Sequence, residues 1–484
     1  MKRTGGRRAR VMAVVASVAL AGSLASACGE ETAGRLQTAG DIAGLPVTHF
    51  ESGLKPDAPA PDVTARGATS SEEDRLALAA IADVSDYWEQ QLPEHFGLRF
   101  DPVKALLSYD PSEPEIEVCG ATTADAAMNA FYCPPEDLVA WDRGMLLPLL
   151  RERFGPMAIV TVLGHEFGHA IQYRLGEKAG VDESTSTIVK EQQADCFTGS
   201  YFRWMAEGRS TYFTVSTSEG LNQVLASLFF IRDEAGQSAQ ERGAHGTAFD
   251  RTYAFQLGFE KGATECAGIN QENVDARITE QPFDPSDQGG DVSITADTVS
   301  LLQESLDLAF SGAGVEAPEI VDDGGECADG TSTPPASYCP ADNTVSIDLA
   351  TLSEIGQPVD REAEFQGAES DGGLGDFAAF AEIASRYVQG IQKGVGASLE
   401  GPNAGLRTSC LVGAWAGAIS RPGNGNTLLL SPGDLDEAIA ELLQPRSLLA
   451  ADVTGHRVAN GFARVESLRL GYFEGSKACT TNYA

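Results

Sequence analysis

Positive charge is scarce in this 484-residue chain: 34 lysines and arginines face 70 aspartates and glutamates, a net charge of −36. A surface of that sign repels nucleic-acid phosphates and anionic headgroups, which argues against DNA, RNA or peripheral lipid as partners. Long apolar runs are missing too. Beyond the N-terminus no stretch of 18 or more apolar residues occurs, so no membrane-spanning helix is expected in the body of the chain. Three common enzyme fingerprints are absent: a Gly-x-Ser-x-Gly elbow, a P-loop and a dinucleotide-binding glycine motif. Histidine is rare as well, with six in all, so two of them at a fixed helical spacing carry weight.

What is present begins with an export signal. Lys2, Arg3, Arg7, Arg8 and Arg10 precede a short apolar run from Val11 to Leu20, and Leu24-Ala25-Ser26-Ala27-Cys28 closes it. Ala25-Ser26-Ala27 fits a signal-peptidase site. Cys28 after small residues resembles a lipobox cysteine, with Ala25 where a large apolar residue is usual. Removing residues 1–27 leaves 29 cations against 70 acids, a net charge of −41.

The rest of the chain repeats itself. "FYCPPEDLVAWD" (131–142) is echoed by "SYCPADNTVSID" (337–348), "DCFTGSYFRWM" (195–205) by "SCLVGAWAGAI" (409–419), and "FQLGFEKGATEC" (255–266) by "LRLGYFEGSKAC" (468–479). The offsets of 206, 214 and 213 keep their order, which predicts a tandem duplication. The cysteines follow it. The simplest pairing is Cys119–Cys133 with Cys196–Cys266 in the first unit, and Cys327–Cys339 with Cys410–Cys479 in the second. Cys28 alone has no twin, which favours lipidation there. The expected organisation is a signal peptide (1–27), a lipid anchor and flexible tether (28–72), a first unit (73–280), a linker (281–291) and a second unit (292–484), each unit with its own core.

The stretch "TVLGHEFGHAIQYRLG" (161–176) carries the chemistry. Gly155-Pro156 predicts a helix start and Gly176 a stop, and Val160, Leu163, Phe167, Ile171 and Leu175 form its core stripe. His165 and His169 lie one turn apart on another face, where both imidazoles can converge on a metal ion. Glu166 faces the open side of that point, placed to take a proton from a metal-activated water. Three protein ligands are usual in catalytic zinc sites. A second helical pattern, starting near residues 182–184, offers Glu191 and Asp195 four residues apart.

"GHEFGHAIQ", "EQQADCFTG", the "YCP" strand and the late "HGT…GFEKG" block together resemble the bacterial family of neutral zinc metallopeptidases, over about residues 75–270. The resemblance implies a zincin-like fold in which Glu191 is the third zinc ligand and Asp195 orients a ligand histidine; the spacing alone leaves those two roles interchangeable. His245 and Tyr201 are weaker candidates for holding a transition-state oxyanion, with ordinary packing as the competing reading. The strand "DLVAWD" (137–142) is a candidate edge for an extended substrate.

The second copy keeps the core stripe and loses the chemistry. His165, Glu166, His169 and Glu191 align with Ser385, Arg386, Gln389 and Gly405. The expectation is an α+β protein: an exported peptide-bond hydrolase with one Zn2+ per chain and a peptide or protein substrate. Its second, degenerate domain would recruit substrate or a protein partner through the strand near residues 345–349. Lipidated Cys28 would anchor it to the outer face of the cytoplasmic membrane. A scaffold lipoprotein built from two inactive units is the competing function.

Overall fold

The computed structural model describes residues 41–241, 243–279, 281–283, 291–328, 332–361, 373–421 and 425–484. The export signal, Cys28 and residues 284–290 of the expected linker lie outside the described residues. The described residues between 41 and 484 cluster as one compact unit of mixed α+β structure.

The segment read as a tether is folded from residue 41 onward. It forms a hairpin of β1 (Asp41–Ile42) and β2 (Leu45–Pro46), then β3 (Gly53–Leu54), which pairs antiparallel with residues 213–214. Ser52 and Thr48 accept the backbone N–H groups of Ser216 and Thr217, each at 2.9 Å. Two-residue strands and side-chain contacts of this kind leave no periodicity to read. They are stable because a partner loop satisfies their backbone groups.

α1 (Glu72–Gln91) begins where the Ser71 hydroxyl accepts from the Asp74 N–H at 3.2 Å, and three acids in its first turn suit the amide-rich end. A three-stranded sheet follows. β4 (Ala105–Tyr109), a small hairpin of β5 (Glu117–Val118) and β6 (Ala121–Thr122), β7 (Ala130–Cys133) and β8 (Leu138–Asp142) come in chain order. The sheet order is β4-β8-β7, with β8 parallel to β4 and antiparallel to β7. All five residues of β8 are buried. This corrects the expected substrate edge: a central strand has spent its backbone groups on both neighbours, and the free edge beside the metal helix is β7.

Helices complete the first half: α2 (Leu146–Phe154), α3 (Pro156–Leu175), α4 (Thr187–Ala206), the short β9 (Phe213–Thr214), α5 (Glu219–Phe230), α6 (Ala248–Lys261), α7 (Ala263–Ala267) and α8 (Gln271–Asp275). α3 starts and stops as predicted, with Pro156 at its first turn and Gly176 (φ 54°) past its end, whereas α4 starts at Thr187, later than expected.

The second half follows the same order. After α9 (Ala296–Phe310) come β10 (Glu319–Asp322), β11 (Ala336–Cys339), β12 (Thr344–Ile347) and α10 (Leu349–Ile355). They lead to α11 (Asp376–Gly394), α12 (Pro402–Ile419), α13 (Asp434–Leu443), α14 (Gly461–Glu474) and α15 (Ser476–Asn482). Its sheet has the order β10-β12-β11, parallel then antiparallel. β12 is therefore central, and the strand near residues 345–349 is not a free edge either.

The helix crossings match in detail. A Cβ at Gly258 would collide with the Cys196 carbonyl and one at Gly199 with that of Phe255, so α4 and α6 touch backbone to backbone. In α12 and α14, Gly471 against Cys410 and Gly413 against Leu468 repeat the contact. Four disulfides form with the expected pairing, Cys119–Cys133, Cys196–Cys266, Cys327–Cys339 and Cys410–Cys479. Among the described residues the two halves do not each keep a main core; only a small cluster around Leu107, Tyr109 and Ala140 stands apart. Buried side chains of both halves join in one cluster, as where Phe259 meets Phe462 at 5.1 Å between ring centroids.

Candidate metal centre

α3 delivers His165, Glu166 and His169 to one side of a cleft whose opposite wall is α4. The approach is close because of Gly168: a Cβ there would lie 3.0 Å from the Ala194 Cα and 3.2 Å from its Cβ. The small residues inside both motifs let the ligand-bearing turns face each other. His165 Nε2 lies 3.2 Å from His169 Nε2 and 3.0 Å from Glu191 Oε2. His169 Nε2 lies 3.4 Å from Glu191 Oε1. Ligand atoms of the three residues all fall within 4.8 Å of one another.

These residues fit a zinc ion. Bonds of roughly 2.0–2.1 Å in a tetrahedron place neighbouring ligand atoms about 3.3 Å apart, and two imidazoles with one carboxylate is a catalytic donor set that leaves a position open. The two imidazole nitrogens, 3.2 Å apart, match that edge, and the two Glu191 oxygens lie 3.0 and 3.4 Å from one ring nitrogen each. Two facing imidazole nitrogens beside a carboxylate also call for a cation between them.

The outer contacts fix the rings. Asp195 Oδ1 lies 2.7 Å from His165 Nδ1, on the side of the ring away from the cleft, so this carboxylate holds the tautomer that turns Nε2 inward. That geometry separates two roles the spacing left interchangeable: Glu191 is in the cleft and Asp195 behind it. Gln172 Oε1 lies 3.1 Å from His169 Nδ1, and its amide nitrogen donates to the Lys190 carbonyl at 2.6 Å, tying this ring to α4 as well.

Charges compensate within the cluster. Burial opposes ionisation of His165, but Asp195 and Glu191 outweigh it and push its pKa up to about 10. Burial likewise opposes the Asp195 and Glu191 carboxylates, yet the cations around them hold both below the ordinary range. Glu166 goes the other way: burial raises its pKa against the pull of His165 and His169. Its Oε2 accepts the Tyr132 N–H of β7 at 2.9 Å.

One expected candidate sits elsewhere. Tyr201 is 1% exposed, and its hydroxyl donates to Asp83 at 2.7 Å within the core. It corrects to a packing residue, because that hydroxyl is committed behind α3. His245 is half exposed in the loop before α6, 3.3 Å from Asp233. Arg251 was missed. It is 1% exposed on α6, and its Nη2 donates to Asp195 Oδ1 at 2.9 Å. The repeat offered a clue: "AFDRTYAFQLG" aligns with "GFARVESLRLG", an arginine kept inside an otherwise apolar helix face.

In the second half the aligned place is filled by the chain itself. Arg386 donates to the carbonyls of Leu448 (2.6 Å) and Asp452 (3.1 Å), and Gln389 to that of Ala451 (3.1 Å). Gly405 abuts the Ala450 carbonyl, which a Cβ there would meet at 2.7 Å.

Residues 36–269 match the sequence model of a family described as "Putative neutral zinc metallopeptidase". That part of the chain is similar to this family. Relatives include the uncharacterized protein Rv2575 of Mycobacterium tuberculosis, 26% identical over 162 residues, 30% of this chain and 55% of the relative. The uncharacterized protein YpfJ of Escherichia coli is 25% identical over 229 residues, 44% of this chain and 77% of the relative. The chain thus spans about half the length of the mycobacterial relatives it matches. No solved structure matches the chain significantly.

Proposed function

We propose that the protein is an exported zinc-dependent peptide-bond hydrolase whose single active centre is formed by His165, His169, Glu191 and Glu166. The observation that carries this reading is the gathering of two imidazoles and one carboxylate, with ligand atoms of His165, His169 and Glu191 all within 4.8 Å of one another, beside Glu166 on the same helix. A zinc ion held there supplies Lewis acidity that acidifies water and polarises a carbonyl.

The chain's own residues do the rest. Glu166, its basicity raised by burial and its orientation fixed by the Tyr132 N–H, takes a proton from water and returns it to the departing amine. Asp195 and Gln172 keep the two rings from turning. An extended peptide lying along the free edge of β7 would bring its carbonyl beside Glu166, since the Tyr132 amide already reaches that carboxylate.

Four disulfides suit an oxidising, extracytoplasmic compartment. Cys28, the ninth cysteine, stands outside those pairs and is the proposed lipid attachment point. The collinear repeats, the matching strand orders and the four glycine contacts support a tandem duplication. The filled place beneath Arg386 supports reading the second copy as a pseudo-enzyme.

The deciding experiment is Glu166→Gln assayed against a peptide library. Turnover is expected to fall about 10²–10⁴-fold, the scale of a lost general base, with one zinc per chain retained. A variant that loses its zinc, or cleaves as well as the parent, overturns the role of Glu166. Wild-type protein purified without zinc favours the scaffold reading.

A further inference from the structure

We propose that the second half serves the metal centre as a covalently attached dimer partner, with Asp436 as the residue that positions it from across the interface. This rests on the metal-centre reading above. Contacts between the halves are exchanged in pairs. Phe249 of α6 meets Tyr472 of α14 at 5.4 Å between ring centroids, and Phe462 of α14 meets Phe259 of α6 at 5.1 Å. Phe249 and Phe462 lie 213 residues apart, as do Phe259 and Tyr472. Midway along the same helices Arg469 donates to Gln256, again a pair 213 apart. When a residue touches the counterpart of its neighbour's position, and the neighbour returns the contact, the interface is two-fold and isologous.

Helix caps are exchanged in the same way. Asn222 on α5 accepts from the Gly461 N–H (2.6 Å) at the start of α14. Asp436 on α13, 214 residues later, accepts from the Phe249 N–H (3.0 Å) at the start of α6. Only the second cap is a carboxylate, the better partner for a helix N-terminus, and only this one leads to the metal centre. Its other oxygen lies 3.7 Å from Arg232 Nε, whose guanidinium rests 3.6 Å from the centroid of the Phe229 ring. Asp436 thereby ties both ends of the loop between α5 and α6.

From there the path to the ligand is short. Arg251 sits in the first turns of α6, and its Nη1 donates to the Ile231 carbonyl (3.1 Å) at the start of that loop. Its Nη2 reaches the same Asp195 oxygen that holds His165. Asp195 Oδ2 has no hydrogen-bond partner among the described residues. The setting of that carboxylate therefore depends on where α6 places Arg251, and close-packed surroundings transmit a displacement rather than absorb it.

The test measures zinc affinity of full-length variants by competition with a chromophoric chelator, with thermal midpoints alongside. Asp436→Ala is expected to weaken zinc about tenfold, the lower end of what outer partners of metal ligands contribute. Asp436→Asn still accepts from the amides and should recover most of that loss. Asn222→Ala removes the matching cap from the metal-free half, so it should lower the midpoint yet leave zinc affinity unchanged. If Asp436→Ala does not fold, Asp436→Glu, which keeps the charge but pushes on α6, should shift affinity in the same direction by a smaller factor. Unaltered zinc affinity in the folded Asp436 variant, or an equal loss in Asn222→Ala, overturns the proposal. Wild-type protein that binds no zinc overturns the metal-centre reading instead.

Discussion

Helices α3 and α4 differ from α11 and α12 less in their backbone than in what occupies the space between them. In the first half the cleft is lined by His165, His169 and Glu191, whose polar atoms face one another. In the second it is filled by the carbonyls of Leu448, Ala451 and Asp452, capped by Arg386 and Gln389. Arg464, aligned with Arg251, donates to the Val458 carbonyl (2.8 Å) where Arg251 has a carboxylate. The lesson is that a polar cleft cannot simply be emptied. Buried donors and acceptors left without partners cost about 1–3 kcal/mol each, and in the second half the carbonyls of residues 448–452 supply those partners to Arg386 and Gln389.

The comparison breaks most visibly at the ligands. Glu191→Ala is expected to abolish stoichiometric zinc binding, as are His165→Ala and His169→Ala. Planting histidines and acids in the second half, as Ser385→His, Arg386→Glu, Gln389→His and Gly405→Glu together, should create no second site, because residues 448–452 already occupy the space. Metal analysis of the purified proteins decides both; two zinc ions in the grafted variant would mean that the ligands alone make the difference.

A second effect should be equal in the two halves. Cys196–Cys266 and Cys410–Cys479 close loops of 70 and 69 residues and join the corresponding helices α4 and α12 to the short helices α7 and α15. Replacing either pair with serine should cost about 4 kcal/mol on the chain-entropy account. Unfolding in denaturant measures it, and a clear inequality would show that the halves do not share one cooperative core.

Smaller still is the outer carboxylate. Asp195→Ala should weaken zinc about 10–100-fold while Ser409→Ala, the aligned change, leaves it alone. Chelator competition distinguishes them, and zinc loss from Asp195→Ala but not from Glu191→Ala would reverse their assigned roles.

The mildest effect is on pH. In metal-free protein the His165 pKa is pushed up from 6.5 to about 10 by Asp195 and Glu191, against its burial. A folded pKa above the unfolded one stabilises fully below about pH 6.5, and that contribution fades as pH climbs toward 10. Chelator-treated protein should therefore lose thermal stability across this window, and His165→Ala should flatten the dependence. Zinc affinity should rise over the same range, because each imidazole must give up its proton to bind.

Much of the site was legible. The spacing of His165, Glu166 and His169 fixes their helical face whatever surrounds it, and Glu191 lies one turn before Asp195 for the same reason. The disulfide pairing followed from the repeat. Tyr201 misled because residue type says nothing about direction: its hydroxyl was already committed to Asp83. The strand near Trp141 misled because alternation cannot tell a central strand from an edge.

By itself, then, the sequence determined what short-range periodicity and comparison of the chain with itself govern: the helix that carries His165 and His169, its start at Pro156, and the cysteine pairing shared by the two halves. Only the tertiary structure decided that Arg251 stands behind Asp195, that β7 is the open edge, that residues 41–72 are part of the fold, and that Asp436 reaches across to the start of α6. Each of these depends on groups far apart in the chain meeting in a packed interior, where burial and the need to satisfy every polar atom select the partner.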